Sequence, residues 1–203
     1  MTMGKIYYII GKSSTGKDSI EKRLVADPEL GLQEITQYTT RPKRDGETEG
    51  VEYHFITEKQ EEKLRKAGKI IEQRAYNTVH GIWKYMMVDD GAVDLKHHDY
   101  VAVGTLASYA EVRRFFPEGT VVPIYIDVEK GERLYRAVIR ERKSAHPKYE
   151  ELCRRFLADE ADFDEAHLKA VGLMNEDGEI LNRIENRDLA ETVNEIKAFI
   201  RGQ

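Results

Sequence analysis

A phosphate-binding loop near the start of the chain is the sequence feature that most constrains the fold. The apolar run Ile6–Ile10 leads into the loop Gly11-Lys12-Ser13-Ser14-Thr15-Gly16-Lys17-Asp18-Ser19. Two glycines let the backbone turn so that several N–H groups face one phosphate, and a following helix adds partial positive charge. Lys17 would reach the outer phosphates. The pattern predicts a strand, loop and helix that bind a phosphorylated ligand, and the alternative is a simple turn rich in Gly and Ser.

The residue after the loop lysine departs from the usual form of such loops. That place normally carries Ser or Thr, whose hydroxyl coordinates magnesium, but here it is Asp18 and the hydroxyl follows at Ser19. A carboxylate near a polyphosphate is unfavourable unless a cation lies between them. Asp18 therefore either holds magnesium through water or points away at the helix N-terminus, where an acid is favourable. Both alternatives stay open.

The composition predicts a globular protein of the cytoplasm. Of 203 residues, 40% are hydrophobic and 34% are charged, and we find neither a signal peptide nor a stretch long enough to span a bilayer. The net charge of −5 argues against nucleic acid as a partner, and we expect no membrane or obligatory protein partner. Cys153, the single cysteine, excludes an intrachain disulfide and a multi-cysteine zinc site.

Strand and helix signals alternate along most of the chain. They predict strands at 100–103, 121–126 (with an interrupting proline) and 180–184, and helices at 20–26, 106–116, 129–143, 147–165 and 189–200. This order indicates an α/β fold with a parallel sheet and helices on both faces. The segment from about 38 to 83 differs, with short strands at 51–56 and 70–76 around a helix at 58–67, and predicts a small inserted subdomain. Residues 166–179 read as a loop or hairpin.

A second motif, in residues 39–55, places two arginines three positions apart. Pro42 keeps the chain extended, so that Arg41 and Arg44 could grip one phosphate from two sides, with the hydroxyl of Tyr53 returning to the same group. Taken alone, two arginines beside a proline would be equally typical of a solvated loop. The whole segment is more specific than its parts.

Together the two motifs resemble the guanylate kinase family. Residues 39–55 match that family's pattern Thr-Thr-Arg-Pro-x-Arg-x-Gly-Glu-x-x-Gly-x-x-Tyr-x-Phe at every fixed place. The resemblance implies a kinase fold of the phosphate-loop type in one domain, 1–203. Its expected parts are an ATP-holding core at 1–36 and 98–203, a GMP-binding subdomain at 37–97 and a mobile helical lid at about 136–155.

The resemblance also implies the residues of the site. ATP would be bound by Gly11, Lys12, Ser13, Ser14, Thr15, Gly16, Lys17, Asp18, Ser19 and Asn186, with Mg²⁺ at Ser19 and Asp18. GMP would be bound by Arg41, Arg44, Tyr53, Glu72, Tyr85 and Thr105, where Glu72 accepts hydrogen bonds from the guanine edge. Transfer would depend on Lys17, Arg44, Arg136, Arg140 and Arg155. The alternatives without a function are that Glu72 is an exposed carboxylate on a strand and that the basic faces of the lid helices are merely solvated.

Two departures from the family affect the acceptor. The family's strand after the GMP subdomain carries a pair of aspartates, whereas Tyr100-Val-Ala-Val-Gly104-Thr105 has none and leaves Thr105 as a neutral substitute. The family's Tyr-Gly-Ser/Thr element is reduced to Tyr85-Met86-Met87, or more weakly to His80-Gly81. The sequence is therefore compatible with three functions. They are transfer of the γ-phosphoryl of ATP to GMP, transfer on the same scaffold to another monophosphate or phosphosugar, and a binding module without turnover.

Overall fold

The computed structural model describes residues 3–78 and 81–203. In chain order the elements are β1 Ile6–Ile10, α1 Lys17–Val25, β2 Gln33–Glu34, β3 Tyr38–Thr39, β4 His54–Phe55, α2 Glu58–Lys66, β5 Ile70–Thr78, β6 Gly81–Val88, β7 Tyr100–Gly104, α3 Leu106–Phe115, β8 Val121–Asp127, α4 Lys130–Arg142, α5 Tyr149–Asp162, α6 Glu165–Ala170, β9 Arg183–Glu185 and α7 Leu189–Arg201.

A parallel sheet of five strands, in the order β2-β7-β1-β8-β9, forms the centre of the fold. All five residues of β1 are buried, because helices cover both faces of the sheet. Ile6, Tyr8 and Ile10 pack on one face with α3. Tyr7 and Ile9 pack on the other with α1 and α7. The predicted fold class is confirmed, since an apolar run without alternation is what a strand buried on both faces requires.

A second sheet lies in the segment that breaks the α/β alternation. Its order is β4-β3-β6-β5, with β3 parallel to β4 and antiparallel to β6, and β5 antiparallel to β6. Helix α2 begins with a capping box, in which the Thr57 side chain accepts from the Gln60 backbone and the Gln60 side chain accepts from Thr57. Sheet and helix together place β5 beside α3 of the core.

Three predicted segments are wrong in part. The strand predicted at 180–184 is β9, which starts only at Arg183, because Asn182 has a left-handed φ of 49° that ends an extended backbone. The strand predicted at 51–56 shortens to β4, since residues 51 and 52 form a turn. The stretch 166–179, predicted as a loop or hairpin, contains most of α6, which Asp164 caps by accepting from the His167 N–H.

Candidate active site

The phosphate-binding loop follows β1 at the carboxyl end of the parallel sheet. Gly11 lies so close to β8 that a Cβ there would sit 2.5 Å from the carbonyl oxygen of Ile126. Gly16 has φ 91°, and a Cβ would meet the Asn186 side-chain nitrogen at 2.7 Å. Both positions therefore require glycine, for space and for conformation respectively. Ser14 also adopts a left-handed φ of 67°, which no sequence pattern indicated.

Lys17 lies inside the cradle that the loop forms. Its Nζ donates to the carbonyl oxygen of Lys12 at 2.8 Å, so the side chain folds back over the loop. Removal from water lowers the pKa of Lys17 to about 8, while the nearby carboxylates of Asp18 and Asp159 oppose this shift. An ammonium group in this environment gains more from an incoming polyphosphate than one in water would.

The residues predicted to hold magnesium are exposed in the first turn of α1. Asp18 and Ser19 both face solvent, and the next turn adds Glu21, whose pKa burial and the charges of Glu34 and Asp18 raise to about 8. Within residues 3–78 and 81–203, no group of three or more His, Cys, Asp or Glu side chains could hold a metal by itself. Mg²⁺ is commonly bound by one or two carboxylates plus substrate phosphates and water. Asp18 and Ser19 fit that kind of site.

Two carboxylates of α5, which sequence reasoning did not single out, lie against the loop. Asp159 Oδ2 accepts from the backbone N–H of Ser13 at 2.7 Å, and Glu160 Oε1 accepts from Lys12 Nζ at 2.8 Å. Arg133 of α4 joins them, with its Nη1 3.1 Å from Asp159 Oδ2 and its Nη2 paired with Glu160. The side chain of Arg133 is only 2% exposed. No sequence pattern indicated that Arg133 is buried.

The predicted lid arginines separate into two groups. Arg155 donates to the hydroxyl of Ser13 at 3.2 Å and lines, with Arg140, a cavity of about 200 Å³ beside the loop. Arg136 points elsewhere, because its Nε donates to Glu132 at 2.8 Å and its Nη2 to the carbonyl oxygen of Asn186 at 3.0 Å. Three of the predicted cationic groups, Lys17, Arg140 and Arg155, are thus brought to the loop.

Asn186 is buried and supports the loop from behind. Its amide nitrogen donates to the carbonyl oxygen of Thr15 at 2.8 Å, and its amide oxygen accepts from the Thr192 hydroxyl at 3.1 Å. The hydroxyl of Thr15 in turn donates to the Lys12 carbonyl oxygen at 2.9 Å. The amide therefore fixes the backbone that would face the phosphates.

Arg41 lies buried just after β3 of the second sheet, where its guanidinium is paired with a carboxylate. The residue is 3% exposed and makes a two-pronged ion pair with Glu47, at 2.7 and 2.9 Å. The Arg41 guanidinium holds the Glu47 pKa down at about 2. The guanidinium also lies 5.5 Å from the ring centroids of both Tyr53 and Phe55. A phosphate entering here would take the place of the Glu47 carboxylate.

Arg44 and the two predicted tyrosines surround that ion pair. Arg44 is exposed, and its backbone N–H donates to Glu47 at 2.7 Å. The rings of Tyr53 and Tyr85 meet edge to face, with their centroids 5.6 Å apart. The structure therefore brings Arg41, Arg44, Tyr53 and Tyr85 to one place. His80, the weaker candidate for the missing base contact, lies outside the described residues.

Glu72 lines a cleft of about 420 Å³ between β5 and the start of α3. Its side chain is 1% exposed, and both oxygens accept from Arg74 at 3.0 and 3.1 Å. Burial raises the Glu72 pKa, and the charge of Arg74 opposes that rise. Arg74, missed by sequence reasoning, also donates to the side-chain oxygen of Gln37 at 2.6 Å. The predicted acceptor carboxylate is therefore part of a buried ion pair.

Thr105 lies directly before α3, and its hydroxyl has a structural partner. It caps α3 by accepting from the Ser108 N–H at 3.2 Å, while the Ser108 hydroxyl accepts from the Thr105 N–H at 2.8 Å. Ser108 itself lines the cleft and accepts from the buried hydroxyl of Tyr8 at 2.9 Å. The Ser108 hydroxyl of α3 therefore lines the cleft and is held there by Tyr8 of β1.

Comparisons with known proteins agree with this arrangement. The sequence family described as Guanylate kinase matches residues 3–82. A guanylate kinase of Neisseria gonorrhoeae is 32% identical over 130 residues, covering 62% of this chain and 61% of that protein. One from Mycoplasma mobile is 41% identical over 85 residues, covering 41% of this chain and 42% of that protein. The matched stretch spans less than two thirds of the length of these relatives.

Structural similarity to a guanylate kinase covers nearly the whole chain. The crystal structure of a guanylate kinase from Anaplasma phagocytophilum superposes with a TM-score of 0.61 at 21% sequence identity, covering 99% of this chain and 87% of that one. That similarity concerns the fold, whereas the sequence match contains the phosphate loop, Arg41 to Phe55 and Glu72. Residues 3–82 are thus similar in sequence to the guanylate kinase family, and the chain as a whole is similar in fold to a guanylate kinase.

Proposed function

We propose that the protein transfers the γ-phosphoryl group of ATP to GMP, giving ADP and GDP. The observation that carries the proposal is the pairing of two anion sites in the matched segment. One is the loop with Lys17 at the carboxyl end of β1, and the other is the buried guanidinium of Arg41, just after β3. A phosphoryl transfer needs two such sites, one for the donor polyphosphate and one for the acceptor phosphate.

The residues of the site would act by position and by charge. Lys17, Arg140 and Arg155 would neutralise the oxygens of the transferring group, and Arg44 would hold the acceptor phosphate from the exposed side of the site. In-line transfer needs no covalent intermediate, so no nucleophilic side chain is required. Arg136, which binds backbone carbonyl groups here, would contribute after a change of rotamer.

Magnesium belongs to the same proposal. A bound Mg²⁺ would neutralise part of the negative charge of the nucleotide phosphates. The Ser19 hydroxyl would be a direct ligand, and the Asp18 carboxylate would hold a coordinated water, because both lie exposed in the first turn of α1 beside the loop. Nucleotide substrates make the cytoplasm the expected location. Within the described residues, no helix has the length and apolarity that crossing a membrane requires.

An assay of ADP formation over a panel of acceptors tests the proposal. The purified protein is supplied with ATP and Mg²⁺ and with GMP, AMP, CMP, UMP or a phosphosugar, and the phosphorylated product is identified by mass spectrometry. We expect GMP to give the highest kcat/KM, at least about 10²-fold above AMP. A higher kcat/KM for another acceptor would replace GMP by that compound. Nucleotide binding without turnover on any acceptor would favour the binding module.

A further inference from the structure

The ion pair between Glu72 and Arg74 occupies the cleft in which the proposed acceptor base would lie. Nε of Arg74 lies 3.1 Å from Glu72 Oε2, and Nη2 lies 3.0 Å from Oε1, so that one planar fork covers both carboxylate oxygens. Both residues line the cleft beside Ser108 and Glu111. A base that binds both oxygens of Glu72 with two parallel donors would compete with Arg74 for the same side of the carboxylate.

Opening this pair is costly unless the ligand satisfies both partners. The Glu72 side chain is 1% exposed and that of Arg74 is 19% exposed, so neither finds enough water to replace its partner. A buried charge left without a partner is strongly unfavourable. The acceptor must bring donors for the carboxylate and an acceptor for the guanidinium, side by side.

We propose that Arg74 determines base selectivity in the acceptor cleft. Its guanidinium moves away from Glu72 and donates a hydrogen bond to the 6-oxo group of the incoming base. This inference rests on the proposed function. Guanine carries N1–H and the 2-amino group for Glu72, with O6 directly beside N1 for Arg74. An exchange of partners then leaves every charged group hydrogen-bonded. Adenine presents only one donor, the 6-amino group, beside the N1 acceptor and has no 6-oxo group, so it satisfies the opened pair less completely than guanine does.

The anchoring of Arg74 suits this exchange. Its Nη2 also donates to Gln37 at 2.6 Å, and the side-chain nitrogen of Gln37 donates to the carbonyl oxygen of Val103 at 3.2 Å. Gln37 can therefore hold the guanidinium at the cleft while its bonds to Glu72 are released. Among the described residues, Nη1 of Arg74 makes no hydrogen bond in this state. In the proposed exchange this nitrogen would donate to the base.

Comparison of GMP with 6-thio-GMP isolates the contact. The thio compound keeps N1–H and the 2-amino group but replaces O6 by sulfur, a much weaker acceptor. For the wild type we expect kcat/KM for GMP to exceed that for 6-thio-GMP by about 10-fold or more, the usual effect of a hydrogen bond to a charged group. In Arg74→Met the ratio should fall to within about 3-fold of unity, because the guanidinium that distinguishes oxygen from sulfur is gone.

A matched control exists in the same subdomain. Arg65 pairs with Glu61, a carboxylate whose side chain is 2% exposed, but Arg65 does not line the cleft. Arg65→Met removes a similar ion pair and should keep the wild-type ratio. If Arg74→Met does not fold, Glu72→Gln/Arg74→Met is compared with Glu72→Gln. Both variants lack the charge of Glu72. Only Glu72→Gln, which retains Arg74, should prefer GMP to 6-thio-GMP.

The outcomes separate the two proposals. A wild type that phosphorylates GMP, with an unchanged ratio after loss of Arg74, overturns this inference and leaves the proposed function standing. Equal changes in Arg65→Met and Arg74→Met would also overturn it, because the effect would then be structural. A wild type that does not phosphorylate GMP overturns the proposed function and the inference together.

Discussion

The carboxylate of Asp159 accepts a hydrogen bond of 2.7 Å from the backbone N–H of Ser13, within the phosphate-binding loop. The same oxygen lies 3.1 Å from the buried guanidinium of Arg133. The Asp159 carboxylate thus accepts from two donors, the Ser13 N–H and the Arg133 guanidinium, that could also bind a phosphate oxygen. A polyphosphate that enters the loop would meet Asp159 as a competitor for the Ser13 N–H and as a like charge.

Replacement of Asp159 by Asn should tighten ATP binding. The amide oxygen can still accept from Ser13, so the loop keeps its shape, but the negative charge beside the triphosphate is removed. We expect the Kd of a non-hydrolysable ATP analogue, measured by isothermal titration, to fall by about 3-fold, which corresponds to less than 1 kcal/mol. Asp162→Asn, an exposed carboxylate on the same helix, serves as the control. Weaker binding by Asp159→Asn would mean that the charge supports the loop instead of competing for it.

Replacement of Lys17 by Ala should abolish phosphoryl transfer without unfolding the protein. Its amine bonds to the carbonyl oxygen of Lys12 and lies in the cradle, where it would meet developing charge on the phosphoryl oxygens. Loss of a preorganised contact of this kind costs roughly 3 kcal/mol or more in kcat, which is more than 10²-fold. Lys22→Ala, on the exposed side of α1, should keep normal turnover. Turnover of Lys17→Ala within about 10-fold of wild type would exclude a phosphate-loop mechanism.

Sequence patterns predicted the elements that local chemistry determines. The apolar run of β1, the glycines of the loop and the fixed places from Thr39 to Phe55 each specify a conformation or a contact by themselves. The partners of the buried charges were not predictable, because they come from distant parts of the chain. Asp159 reaches Ser13 across 146 positions, and Gln37 meets Arg74 across 37. The strand predicted at 180–184 was too long for a different reason. Asn182 interrupts it with a left-handed φ, and a hydropathy pattern does not reveal backbone dihedral angles.

Arg44 offers a clean test of the acceptor site. Its side chain is exposed, whereas Arg41 is buried and paired with Glu47, so removal of Arg44 disturbs the fold less. Arg44→Met should raise the KM for GMP by roughly 10-fold to 10²-fold, the effect of losing a charged hydrogen bond, with little change in the KM for ATP. Lys43→Met is the neighbouring control. An equal rise in KM for GMP and for ATP would show that Arg44 is not part of the acceptor site.

The lowered pKa of Lys17 predicts that ATP binding takes up a proton at alkaline pH. In the unliganded protein the pKa is about 8, so at pH 8.5 most Lys17 side chains are neutral, whereas at pH 6.5 nearly all are charged. A bound polyphosphate favours the ammonium form and raises the pKa again. Binding at pH 8.5 must therefore draw a fraction of a proton from the buffer, and affinity should fall as the pH rises above about 8.

Isothermal titration with an ATP analogue in two buffers of different ionisation enthalpy measures that uptake. We expect the wild type to take up protons at pH 8.5, in an amount that declines towards pH 6.5. Lys17→Arg is the matched control, because a guanidinium stays charged throughout this range while the other groups are unchanged. Glu21, whose pKa is also about 8, is present in both proteins, so the difference between them belongs to Lys17. Equal uptake by both proteins at pH 8.5 would show that Lys17 is already charged before the nucleotide binds.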